Sequence, residues 1–400
     1  MELFLFDSYS IDETKTVLSF IYQAGLDRFE EKIYLPKPIS ESIDEILLHN
    51  ILFNLHLALG ISYWKMKCYP RIEIKSGILS REQSQFWNAV YTKGLGEFYY
   101  RNKIDFRNLV SFPYSETVQS SSKQLSLIKR KLVGIGGGKD SVVSWERLKK
   151  DAIPAMGLVI ETQKKYESIA DLLKVGEIPV IRIRREMDKK LVEQKNNALY
   201  HNGHIPISMI YAWMGVLSCV VYDYEEFVVS NEKSADEGNT KKYGMDINHQ
   251  WSKSKEFEDL FVSYIHTNIS PSIAYYSPLR GMTELEIVGE FISYPQYFPV
   301  VSSCNRQFSI TNTPQNTRWC GKCPKCAFAF LLFSAYLPKK IVLDVFGKNM
   351  LEDASLISLF QDLVGRGSIK PFDCVGTFEE ARDALGMIKK RGEFEIPREV

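Results

Sequence analysis

Two short stretches of this chain carry residue types that do chemistry. The first is Lys131-Leu-Val-Gly-Ile-Gly-Gly-Gly-Lys-Asp-Ser141. An apolar run leads straight into Gly136, Gly137 and Gly138, then Lys139, Asp140 and Ser141, then a helical pattern. Glycines let the backbone approach a phosphate closely, and a helix N-terminus presents unpaired N–H groups and a positive dipole end. Lys139 adds a charge, Asp140 suits Mg²⁺, and Ser141 is expected to cap the helix and donate to phosphate. The spacing is neither G-x-x-x-x-G-K-[ST] nor G-x-G-x-x-G. The second stretch holds Cys304, Cys320, Cys323 and Cys326, spaced C-x15-C-x2-C-x2-C. Four thiolates at such gaps converge on a closed, tetrahedral Zn²⁺ site. A [4Fe–4S] cluster and unligated thiols are the alternatives.

Other candidates are single residues. Ser230 to Asn239 follows the apolar run Phe227 to Val229, which puts it at the carboxyl edge of a parallel sheet, where ligands bind. There Glu232 is a candidate Mg²⁺ ligand or ammonium contact, and Ser234 and Asn239 could bind phosphate or peptide. A solvated polar loop is the plain alternative. His249 and Lys253 share a Trp-containing segment, and Arg280 could clamp a carboxylate or phosphate. Basic residues at Lys123, Lys129, Arg130, Lys131, Lys149 and Lys150 flank the glycine loop in sequence and could steer an anionic substrate.

These residues must be held by a fold. From about 125, runs at Lys131–Ile135, Ala155–Ile160, Ile178–Arg184 and Phe227–Ser230 alternate with helical stretches near 141–150, 165–174, 186–198 and 205–222. That alternation predicts an α/β domain, a parallel sheet with helices on both faces, over 126–300. Residues 1–125 read as a mixed α+β region. In it, Ser42-Ile-Asp-Glu45 and Ser80-Arg-Glu-Gln83 are predicted capping boxes, and the polar stretch 115–123 is the predicted linker. Residues 301–400 hold the Cys cluster and further helices. Lys+Arg is 50 and Asp+Glu is 49, so a nucleic-acid role finds no support in the net charge of +1. Seven cysteines, four of them clustered, suit a reducing compartment and a bound metal. The uncharged stretch 205–222 reads as a buried helix, not a membrane span, and the expected location is the cytoplasm.

The glycine loop resembles the PP-loop of the ATP pyrophosphatases, usually written S-G-G-x-D-S, with Gly136 in place of the first Ser. That resemblance implies cleavage of ATP between its α and β phosphates. Further segments are Tyr63-Trp-Lys65, Gly94-Leu-Gly-Glu-Phe-Tyr-Tyr-Arg-Asn102, Ser230 to Asn239, His249 to Ser254, Ser277 to Glu284, Trp319 to Cys326 and Lys370-Pro-Phe-Asp-Cys-Val-Gly376. Taken in order, the set resembles the bacterial UDP-N-acetylmuramoyl-L-alanyl-L-glutamate epimerases. The resemblance implies ATP and Mg²⁺ as cofactors and a UDP-linked muropeptide as substrate. It also implies a companion ligase that adds the L-glutamate, and inversion of that glutamate through a carboxyl adenylate. By analogy with cofactor-free amino-acid racemases, Cys374 is a candidate α-proton base, and a buried structural Cys is the alternative. The cysteine cluster also resembles that of the 7-cyano-7-deazaguanine synthases. Two rival functions follow: a PP-loop enzyme acting on a tRNA base or a deazapurine, and a zinc-stabilised nucleotide-binding protein without catalysis.

Overall fold

Alternate residues of the central strands bury toward opposite sides. Leu132, Leu158 and Phe227 join one apolar core, and their neighbours Val133, Val159 and Val228 join another. Strand side chains alternate between faces, so these strands form a sheet covered on both sides. A computed structural model describes residues 3–162, 167–194, 197, 199–306, 317–367 and 369–400. Its strands are β1 (Leu3–Ile11), β2 (Val17–Ala24), β3 (Asp27–Tyr34), β4 (Arg71–Ile74), β5 (Lys131–Gly134), β6 (Ala155–Glu161), β7 (Val180–Glu186), β8 (Glu226–Val228), β9 (Thr240–Lys242), β10 (Met245–Ile247) and β11 (Ala274–Tyr276). Nine make one sheet in the order β11-β8-β5-β6-β7-β3-β2-β1-β4, and β9 and β10 make a separate hairpin.

The five strands from β11 to β7 are parallel, as the alternation predicts. The sequence divides 1–125 from 126–300, but the sheet runs through both. β3 pairs antiparallel with β7, with Ile33 opposite Arg185. An unpaired β7 would present a row of free backbone groups, and β3 covers it. The junction is pinned by a buried ion pair, Arg185 Nε to Glu31 Oε1 at 2.6 Å, with Tyr63 donating to Glu31 at 2.8 Å. The stretch 115–123 has no regular secondary structure.

The helix Glu45–Trp64 is capped by Asp44, which accepts from the Leu47 amide. The predicted box on Ser42 does not form, because the helix starts two residues later than that box requires, with Asp44 as its N-cap. The boxes Ser80–Gln83 and Thr283–Glu286 both form in full. Among the described residues, Glu45–Trp64 is the helix long and apolar enough to cross a membrane, and 83% of its apolar window is buried inside the protein. The stretch 205–222 gives the core helix Ile207–Tyr222. The helix predicted near 186–198 is short, Lys189–Glu193, and residues 195, 196 and 198 lie outside the described residues, as do 163–166 before the helix Glu167–Val175.

Candidate active site

β5 ends at Gly134, and the chain passes through Ile135 and three glycines into the helix Lys139–Lys150. Gly137 has φ +87°, a conformation that L side chains rarely adopt. A Cβ on Gly136 would meet nothing within 4 Å, so this side of the loop is open. The N-cap is Gly138, and no side chain bonds the amides of the first turn. Ser141, expected to cap, instead donates its hydroxyl to the Gly138 carbonyl at 2.9 Å. It sits three residues past the N-cap, inside the first turn, so it cannot serve the amides that open it. The opening amides of this helix carry no side-chain cap, the arrangement in which a helix N-terminus can accept an anion.

One pocket opens at the carboxyl ends of β5, β8 and β11. Lys139, Asp140, Glu232, Lys253, Glu284, Ser303, Lys325, Phe328, Ala329, Leu332 and Cys374 line it. Five residues singled out in the sequence thus converge: Lys139, Asp140, Glu232, Lys253 and Cys374. Three acids and three lysines face one another. Lys139 pairs with Asp140 and with Glu284. Burial would raise the Asp140 pKa, but the Lys139 ammonium overrides it and holds the carboxylate low. Burial and the neighbouring carboxylates raise Glu284 against the pull of Lys139. Burial opposes the charge on Lys253, and the surrounding Cys374, Glu232, Asp140 and Glu284 outweigh it, so Lys253 stays an ammonium.

Other candidates, Arg280, Asn239, Ser234 and His249 among them, stand outside the pocket lining. Arg280 donates to the Lys253 carbonyl at 2.7 Å and the Glu232 carbonyl at 3.2 Å, and pairs with Glu258 at 2.9 Å. The carboxylate it clamps belongs to the protein, so it holds two pocket residues in place. Asn239 accepts from the His249 amide at 2.8 Å and donates to the Pro371 carbonyl at 2.8 Å, so both ends of its amide are occupied. Ser234 is buried. Three of the basic residues near the loop in sequence are also spent elsewhere. Lys131 opens β5 at the end opposite the glycines and pairs with Glu226 at 2.6 Å, Lys123 pairs with Asp44 at 2.6 Å, and Arg130 lies over the Tyr224 ring. Sequence reasoning passed over Glu284, Ser303 and Lys325. Glu284 and Lys325 lie in segments quoted for the resemblance, and Ser303 precedes Cys304 of the cysteine cluster, which were the available signals.

His249 acts electrostatically on the Cys374 thiol, and the His249 Nδ1 bonds Glu97. Burial raises the thiol, but Lys253, Lys325 and His249 override it and bring Cys374 down to about 6. Burial disfavours the imidazolium, but Cys374 and Glu97 raise His249 to about 10. At neutral pH the pair is therefore a thiolate beside an imidazolium. A thiolate aimed into a pocket is a competent general base.

The cysteine cluster assembles as its spacing predicts. Sulfur separations are 3.9 Å for Cys304–Cys323, 3.6 Å for Cys320–Cys326 and 3.4 Å for Cys323–Cys326. Four sulfurs at ~2.3 Å from one zinc would stand ~3.8 Å apart, so the set fits that ion. Cys323 caps the helix Pro324–Tyr336, with Cys326 in its first turn. Lys325 lies between them, and Ser303 precedes Cys304, so the cluster anchors two residues of the pocket wall. The Ser302 amide also donates to the Gly137 carbonyl at 3.1 Å, tying this segment to the glycine loop.

The MurL N-terminal domain description matches residues 1–278, and the MurL C-terminal domain description matches residues 300–398. A protein of Xanthomonas oryzae pv. oryzae is 35% identical, with 85% of this chain and 74% of that protein covered. One of Salinispora tropica is 34% identical, with 97% and 85% covered. One of Micromonospora sp. is 33% identical, with 98% and 88% covered. Each of the three is named UDP-N-acetyl-alpha-D-muramoyl-L-alanyl-L-glutamate epimerase. Two domain matches that span nearly the whole chain, and three relatives aligned along most of it, lead to one conclusion: this chain belongs to the MurL family.

Proposed function

We propose that this protein is an ATP-dependent epimerase. It converts the terminal L-glutamate of UDP-MurNAc-L-Ala-L-Glu to D-glutamate during peptidoglycan precursor synthesis. The observation that carries the reading is one pocket holding both Asp140, beside the free amides of a glycine loop, and a Cys374 thiolate. The first belongs to phosphate chemistry and the second to proton abstraction.

An α-proton beside a carboxylate is hard to remove, because the product would carry a second negative charge. Attack of that carboxylate on the α-phosphorus of ATP releases pyrophosphate and leaves an acyl adenylate. The amides at Gly137 to Asp140 and the Lys139 ammonium hold the phosphates, in the manner of a PP-loop. Asp140, Glu232 and Glu284 would hold Mg²⁺, a hard cation that takes carboxylate oxygens and neutralises phosphate charge. Cys374 then takes the α-proton: the C–H bond breaks, an S–H bond forms, and the electron pair moves onto the carbonyl oxygen. Lys253, kept protonated by its acidic neighbours, returns a proton to the other face. Water cleaves the adenylate, giving AMP and the D-glutamate product. The four cysteines would hold a structural Zn²⁺ with no open position. A ligase that adds L-glutamate must supply the substrate, and the cytoplasm is the compartment this assigns.

The test is incubation with ATP, Mg²⁺ and the UDP-linked dipeptide in heavy water, followed by chiral analysis of glutamate. The reading expects D-glutamate, AMP and pyrophosphate, with inversion abolished when ATP is omitted. ADP and phosphate as products would overturn the PP-loop reading. AMP released with every glutamate still L would overturn the epimerase reading and favour a ligase. Deuterium at Cα of the product would mark exchange with solvent.

A further inference from the structure

Glu97 is a carboxylate in the protein interior, 5% exposed, on the short helix Gly96–Arg101. A buried charge is tolerated when it is paired. Here Oε1 accepts from Arg101 Nε at 2.6 Å, and Oε2 bonds the His249 Nδ1 and lies 3.5 Å from the His204 Nδ1. The two imidazole rings are 4.5 Å apart. With Nδ1 committed to Glu97, Nε2 is the ring nitrogen left for a second partner. A carboxylate–imidazole pair, its carboxylate from the N-terminal region, therefore stands beside the segment that carries Cys374. The segments of His249 and Cys374 are locked together: Asn239 holds the His249 amide and the Pro371 carbonyl, and Gln250 donates to the Val375 carbonyl at 3.4 Å.

We propose that Glu97 is the positioning residue of the proton-transfer pair, holding the His249 ring in place beside the segment that carries Cys374. The proposal rests on the reading of Cys374 as the α-proton base. Three facts support it. Burial and the charge on His249 push His204 down to about 3, so His204 stays neutral and the shared proton belongs to His249. Burial works to raise Glu97, but His249, His204 and Arg101 outweigh it and keep the carboxylate charged. The Asn239 contact already fixes the His249 backbone, so the ring's orientation and charge are what remain for Glu97 to set. The other groups facing the pair are Lys253 from the turn Trp251–Lys253, Lys325 from the helix Pro324–Tyr336, and Asp373 from the loop of Cys374 itself. Asp140, Glu232 and Glu284 act on Lys253 from the far side. The two lysines remain when Glu97 is removed, so the thiolate should be weakened, not abolished. Glu97, His204 and His249 could also surround a metal ion, with ligand atoms within 4.8 Å of one another. The Arg101 guanidinium on the same carboxylate opposes a cation there.

The experiment follows iodoacetamide alkylation of Cys374 by peptide mapping, from pH 5 to pH 9.5, in wild type, Glu97→Gln and Glu97→Asp. Loss of the carboxylate should raise the alkylation midpoint by about one pH unit or more, and slow alkylation at pH 6 by ~5–10-fold. Glu97→Asp should restore part of the shift. Inversion should slow in Glu97→Gln while ATP–pyrophosphate exchange is retained. An unchanged midpoint in folded Glu97→Gln overturns the proposal. So does a second bound metal ion that Glu97→Gln loses while the cysteine cluster keeps its own. If Glu97→Gln does not fold, His249→Asn must show the same rise, and an unchanged midpoint there is equally fatal. Failure of the base reading shows separately: Cys374→Ala would still invert glutamate, whatever the alkylation midpoint of Glu97→Gln.

Discussion

Replacing Cys323 with serine removes a sulfur that lies 3.4 Å from that of Cys326 and 3.9 Å from that of Cys304. A structural zinc contributes ~10–16 kcal/mol of apparent binding free energy at pH 7, so one ligand of four carries about 3 kcal/mol as an even share. The loss falls where the chain can least absorb it. Cys323 is the N-cap of a helix with ten buried residues, Cys326 to Ala335, packed against the helix Phe378–Arg391. Lys325 and Ser303 hang from the same knot and line the pocket. Cys323→Ser should therefore melt about 10 °C or more below wild type, at the several degrees per kcal/mol of a region of about 100 residues. Zinc should fall from one per chain to substoichiometric. Any variant that stays folded should retain AMP formation, because no ligand of the knot touches the reacting groups. The assays are metal analysis, a thermal melt by circular dichroism, and ATP–pyrophosphate exchange. An unchanged melt with full zinc would refute the argument, and so would iron with a visible charge-transfer band in the wild-type protein.

Asp140→Asn should keep the fold and lose most AMP formation, since a cation among Glu232 and Glu284 would lack one charged ligand; pyrophosphate release measures it. Gly137→Ala should cost about 1–2 kcal/mol at φ +87° and weaken nucleotide binding, whereas Gly136→Ser meets open space and should bind ATP about as well, as calorimetry with ATP can read. Inversion should rise with pH through about 6 as Cys374 ionises and hold until about 10, where His249 loses its proton, so a rate profile with no limb near 6 refutes the assignment. Stability follows the same window. The lowered Cys374 contributes stability present above its ordinary value of 9.0 and lost as pH falls through about 6. The raised His249 contributes stability present below 6.5 and lost as pH rises through about 10.

Local features of this protein were legible in its residues. The glycine loop between strand and helix, the capping boxes at Ser80 and Thr283, and the alternation of strands and helices depend on neighbours within a few positions. So does the two-residue spacing of Cys320, Cys323 and Cys326, which forces their thiolates together. Strand order is a different matter. Nothing near Ile33 or Arg185 announces that β3 closes the edge of β7, because that contact joins residues 152 positions apart and is selected by the need to pair an open edge.

The site divides the same way. Residue types and local spacing determined the glycine loop, the cysteine cluster and the list that contained Asp140, Glu232, Lys253 and Cys374. Tertiary structure alone decided which of those share a pocket, and it turned Asn239 and Arg280 from binding candidates into braces for His249 and Lys253. It also decided that Cys374 is a thiolate, since the charges that make it one come from Lys253, His249 and Lys325, as far as 125 positions away in sequence. A side chain's chemistry is written in its type, but its protonation depends on which charges surround it in space, and only folding brings them there.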